Sequence, residues 1–161
     1  MRRTSFADMP CSVARSLEVV GEWWTPLIVR DALFGVRRFE EFQARLGIAR
    51  NVLAQRLDQL VEEGVLVRVP YQERPVRHEY RLTDKGRDLW HVLTALRQWG
   101  DRWVAPDGPP VRLLHERCGR TVTAVPVCSH CGEELRPQEL RPTRGPGFRP
   151  IGVGDEHIAT G

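Results

Sequence analysis

Apolar residues recur at spacings of three and four along much of the first hundred positions, and where the period changes, the predicted element changes with it. Thr25 precedes the run "PLIVRDALFG", which Pro26 opens, giving a side-chain oxygen able to cap and a proline at a position that sacrifices no helical amide. This predicts a helix stopped by Gly35. The run "FEEFQARLG" sets Phe39, Phe42 and Leu46 on one side and stops at Gly47, predicting a second, shorter helix. A third begins almost at once in "ARNVLAQRLDQLVEEG". At 100° per residue, Ala49, Leu57 and Leu60 fall within about 40° of Leu53 and predict the buried stripe, while Asn51, Gln55, Asp58 and Glu62 lie opposite.

After Gly64 the period drops to two. Val65, Val67, Val69 and Tyr71 alternate with Leu66 and Arg68, and a second alternating run, "VRHEYRL", follows "QERP", so a hairpin is predicted with Arg74 and Pro75 at its tip. Thr83 is placed to cap a last, long helix from about Asp84 to Val104, with Leu89, Val92, Leu93, Leu96, Trp99 and Trp103 at helical spacing. "APDGPP" at 105–110 reads as a linker. Helix, helix, short turn, helix, hairpin, long helix is the order of a winged helix-turn-helix. The expected fold is therefore mainly α with a small β-hairpin wing.

In such a unit the second helix of the pair enters the major groove by its N-terminal end. The polar face of 49–63 is graded to match, with Arg50, Asn51, Gln55 and Arg56 at the front and Asp58, Glu62 and Glu63 at the rear. Carboxylates near phosphate would weaken binding, whereas Asn51 and Gln55 can each pair two-pronged with adenine, and Arg50 or Arg56 with guanine or phosphate. The hairpin adds Arg68, Arg74, Arg77 and Arg81 against Glu73 and Glu79, a basic wing for the DNA backbone or a minor groove.

Net charge changes this picture little. The chain of 161 residues carries only +3, and the positive charge is local, with five arginines and two glutamates over 37–56. A 41% hydrophobic and 28% charged composition is that of a globular chain with one main core and a small appendage. The first two dozen residues form no apolar leader and no run suits a membrane span, so the cytoplasm is the expected location. No nucleophile with its base, phosphate-cradling glycine loop or open metal site is apparent, which argues against an enzyme. The alternative to a DNA-binding regulator is a protein-interaction module within a transcription complex.

Beyond the linker, "HERCGRTVTAVPVCSHCG" contains two turns of one form, His115-x-x-Cys118-Gly119 and Cys128-x-x-Cys131-Gly132. Two such turns at the ends of a short hairpin can deliver four tetrahedral ligands to a structural Zn2+, with His130 competing with His115 for the fourth place; the alternatives are a redox pair at Cys128 and Cys131 or unligated surface thiols. The organisation expected is a DNA-binding and dimerisation unit over 1–104, the linker, a zinc-ribbon-like module over 111–140 and a flexible tail over 141–161. Trp90, Trp99 and Trp103 exceed what a small core can enclose, so part of the last helix is expected to bury against a second copy.

The segments "CSVARSLEVVGEWW", "LIVRDALFGVRRFEEFQARLGIARNVLAQRLDQLVEEGVL" and "PYQERPVRHEYRLTDKGRDL" resemble the HxlR family of bacterial winged-helix transcription regulators, over roughly 11–104. That resemblance implies a homodimer on a roughly palindromic double-stranded DNA operator, more often as a repressor. It also implies dimer contacts from the first and last helices, and places Arg38, Arg50, Asn51, Gln55, Arg56, Arg74 and Arg77 near DNA. A cysteine near position 11 is sometimes a thiol sensor in this family, which makes Cys11 a candidate, with Arg15 one turn on to stabilise a thiolate. One position departs from the family pattern: Trp23 stands where a cation commonly precedes the tryptophan.

Overall fold

The computed structural model describes residues 5–150. Five helices and a wing are found in the expected order: α1 (Ser12–Val20), α2 (Trp24–Leu33), α3 (Phe39–Leu46), α4 (Arg50–Glu62), β1 (Leu66–Glu73), β2 (Val76–Leu82) and α5 (Asp84–Trp103). Two short strands, β3 (Leu113–His115) and β4 (Arg120–Val122), and a 3-10 turn at Pro137–Glu139 follow.

The core is built where the apolar stripes of α2, α3 and α4 meet the root of the wing. Ile28, Val29, Phe42, Ile48, Leu53, Leu57, Leu60, Val65 and Leu66 are buried together, and Leu89 and Leu93 of α5 pack against them. The turn between α3 and α4 is tight because Gly47 takes a left-handed φ of 63°, a conformation that costs a residue with a Cβ. Glu41 in the first turn of α3 accepts from the amides of Arg38 (3.0 Å) and Arg37 (3.2 Å), satisfying the N-cap donor of the helix and the amide just before it. Those two bonds hold its carboxyl below the usual carboxylate range.

The wing is antiparallel, Leu66 facing Leu82 at its root and Glu73 facing Val76 at its tip, so Arg74 and Pro75 form the two-residue loop. It is also tied to the helix-turn-helix, since the Tyr80 amide donates to Arg37 O at 2.8 Å and Arg38 bridges Glu79. Thr83 caps α5, its hydroxyl accepting from the Gly86 amide at 3.1 Å. Gly86 is required there: a Cβ at this position would stand 2.2 Å from Val65 O.

Two local expectations are corrected. α2 starts at Trp24, so Thr25 lies within the first turn, 2% exposed, rather than at the cap. Pro26 then occupies the third helical position, where its missing amide still costs no helical bond. Ala49 is the exposed N-cap of α4 and not part of the buried stripe, because the helical period does not extend beyond the helix end.

α5 has three differently used sides. Gly86, Leu89 and Leu93 face the core or lean on it. Gln98 makes a reciprocal amide pair with Ala124, donating to its carbonyl and accepting from its amide, both at 2.9 Å, and Arg97 donates to Val111 O at 3.2 Å. The segment following the linker is thus fastened along one flank of the helix. The remaining side presents Val92, Leu96, Trp99 and Trp103, each more than half exposed at 54–66%.

Candidate nucleic-acid interface

Asn51 and Gln55 lie one turn apart near the start of α4, and both are exposed. Arg50 stands beside them, its guanidinium 4.8 Å from the Phe39 ring centroid, so α3 supports this cation from below. Arg38 sits where α3 meets the wing, 3.7 Å from Glu79 and 4.6 Å from the centre of the Tyr71 ring. At the wing tip Arg74 and Arg77 are exposed, and neither forms an ion pair among the described residues.

Arg56 is arranged otherwise. Its guanidinium donates to Glu22 Oε2 at 3.1 Å and to Gln59 Oε1 at 2.9 Å, and the side chain is only 17% exposed. These contacts fasten α4 to the turn before α2 and leave little of the Arg56 guanidinium open for the expected contact with DNA. Two of the three rear carboxylates also have partners within the chain. Asp58 pairs with Arg68 of the wing, and Glu63 lies 3.9 Å from Lys85, whose ammonium also donates to the Glu63 carbonyl. The charge gradient of α4 therefore divides its length into an open front and a rear bound to the wing and to α5.

Sequence reasoning missed Asp31. This fully buried carboxylate on α2 takes Arg30 Nε at 3.0 Å and Arg45 Nε of α3 at 3.2 Å, locking the first helix of the motif against α2. Its only signal was an acid beside Arg30 in a largely apolar helix. Cys11, half-buried, is the N-cap of α1. Arg15 does not face it but donates to Met9 O at 3.0 Å, so the expected cationic support for its thiol is absent from the described contacts.

The two cysteine turns each form locally. His115 Nδ1 lies 3.3 Å from Cys118 Sγ, and the amides of Cys131 and His130 donate toward the Cys128 sulfur, lowering its pKa, with the Cys131 thiol contributing. Gly119 and Gly132 close the turns at φ 67° and 76°. Among the described residues, however, no group of three or more His, Cys, Asp or Glu stands within reach of a single ion. Each pair is assembled; the four are not gathered. Residues 151–161, most of the expected flexible tail, lie outside the described residues.

An exposed amide pair and a cation at the front of a helix, next to a helix held at a fixed angle and a basic hairpin, define the class of winged helix-turn-helix DNA-binding regulators. The chain belongs to the HxlR-like helix-turn-helix family, whose model matches residues 19–108. It is 51% identical over 139 residues to the HTH-type transcriptional regulator Rv3095 of Mycobacterium tuberculosis, covering 86% of this chain and 88% of that relative. YvaP of Bacillus subtilis, also an HTH-type transcriptional regulator, is 39% identical over 93 residues, 57% of this chain and 86% of its own length. The crystal structure of PA1607, described as a candidate transcription factor, superposes with a TM-score of 0.78 at 48% identity, covering 88% of this chain and all of that one. The fold and the DNA-binding regulatory function read from the sequence are borne out. No described helix is long and apolar enough to cross a membrane.

Proposed function

We propose that this regulator acts as a homodimeric repressor, with the front of each α4 in the major groove of a pseudo-palindromic site. Asn51 and Gln55 read base edges, Arg50 takes a guanine or a phosphate, and Arg74 and Arg77 of each wing hold the backbone, with Arg38 at the wing root. The observation that carries this reading is the exposure of Asn51 and Gln55 on one face of α4 while every larger apolar residue of the helix turns inward. Support for the dimer comes from the apolar side of α5, together with the exposed Val13 and Leu17 of α1. A patch containing two exposed tryptophans suits a second copy better than water. Two copies set recognition helices about one DNA turn, roughly 34 Å, apart. Occupancy of such a site blocks a promoter, giving repression.

A competition gel with specific and random duplex across a salt series tests the proposal. A regulator that reads sequence shows a steep salt slope and keeps its preference for the specific duplex as salt rises. Loss of that preference at every salt concentration would instead mark the winged helix as a protein-interaction module.

A further inference from the structure

The C-terminal segment presents a folding problem. From 111 to 140 none of the residues is buried, and Leu114, Val122, Val125, Val127 and Leu140 are 40–62% exposed. Yet the segment keeps two hairpin-like units: β3 with β4, and a second closed by the Val127–Glu134 bridge and by Leu135 donating to Pro126 O at 3.0 Å. Pieces this small lack the apolar area to offset the entropy of ordering and need a cross-link or a metal. Cys118, Cys128 and Cys131 are free, so no disulfide supplies it.

The two turns are built alike. Gly119 donates to His115 O at 2.8 Å, and Gly132 donates to Cys128 O at 2.9 Å. In each, the backbone closes on a positive-φ glycine, with one ligand-type side chain at the start of the turn and another three residues on. One such turn presents His115 and Cys118 as a pair; the other presents Cys128 and Cys131. The two turns stand apart, with no three of these side chains within reach of one ion, and a divalent cation, whose ligands must give up their protons to bind it, supplies the attraction that draws both pairs together.

We propose that His115, Cys118, Cys128 and Cys131 together bind one structural Zn2+, which joins the two turns into a single module and makes that module a brace on the flank of α5. Three sulfurs and one imidazole fill a tetrahedron and leave no position for water, so the role is structural. The brace is the reciprocal Gln98–Ala124 pair, which fixes the module beside the apolar side of α5 and leaves that side uncovered. His115 rather than His130 is the fourth ligand, because it stands three residues before Cys118 as Cys128 stands before Cys131, with its Nδ1 already 3.3 Å from Cys118 Sγ.

The test uses the full-length reduced protein, purified without chelator. Elemental analysis gives close to one zinc per chain. Titration with a mercurial reagent in the presence of a zinc indicator releases the ion as three thiols react, equally in wild type and in Cys11→Ser. Replacement by Co2+ produces thiolate-to-cobalt charge transfer and tetrahedral d–d bands, which His115→Ala alters and His130→Ala does not. Hydrogen exchange at the Ala124 amide is slow with zinc and fast after chelation, while α3 and α4 amides are unchanged. Folded protein that neither carries zinc nor takes up Co2+, or that joins Cys128 to Cys131 in a disulfide under these conditions, overturns the site. Zinc present but with Ala124 exchange indifferent to chelation overturns the brace.

Discussion

Replacing Arg74 by alanine removes one exposed cation from each wing tip, two in the proposed dimer, without touching the core or any ion pair among the described residues. If each Arg74 neutralises one phosphate, the slope of log K against log salt becomes shallower by about 0.9 per contact, about 1.8 for the dimer. Between 50 and 200 mM salt, the wild-type advantage over the variant should then shrink by about twelvefold, from that slope difference acting over a fourfold change. The assay is fluorescence anisotropy with a specific and a random duplex at four or more salt concentrations. Both duplexes should show the same change, because phosphate contacts carry no sequence information. Arg81→Ala is the control: Arg81 already pairs with Glu79 at 3.0 Å and should alter the slope less. An unchanged slope for Arg74→Ala, or a loss confined to one base position, would refute the placing of this wing tip on the backbone.

Asp31→Ala should lower stability by about 1–3 kcal/mol, less than the roughly 3–5 kcal/mol for breaking a fully buried ion pair, because Arg30 and Arg45 are half-exposed and can turn to water. Thermal unfolding should show a Tm several degrees lower, and an unchanged Tm would contradict the lock between α2 and α3. Trp99→Glu places a charge on the exposed apolar side of α5. If that side is the dimer contact, the change should weaken dimerisation by about 2 kcal/mol, roughly thirtyfold, as seen by sedimentation; a dimer of wild-type strength would locate the contact elsewhere.

The elements and their order were legible because periodicity, caps and turns are local. Leu53, Leu57 and Leu60 announced the buried stripe of α4, Thr83 announced the start of α5, and Arg74–Pro75 announced the wing tip. Misreadings arose where several positions were locally equivalent, as with Pro26, which any first-turn position accommodates. What the sequence could not show was partner choice across the fold. Arg56 and Arg50 are alike in composition and differ in fate, since only the first has Glu22 within reach, thirty-four residues away in the chain. Asp31 with Arg45, and Gln98 with Ala124, are likewise pairings that exist only once helices have met.

Whether the exposed front of α4 reads bases is decided by selecting bound duplexes from a random pool with wild type, Asn51→Ala and Gln55→Ala run side by side. Each variant should keep the wild-type consensus except at a symmetric pair of positions, where preference relaxes by about 1–3 kcal/mol. Consensus sequences identical in all three proteins, with only a uniform fall in affinity, would contradict base reading by α4.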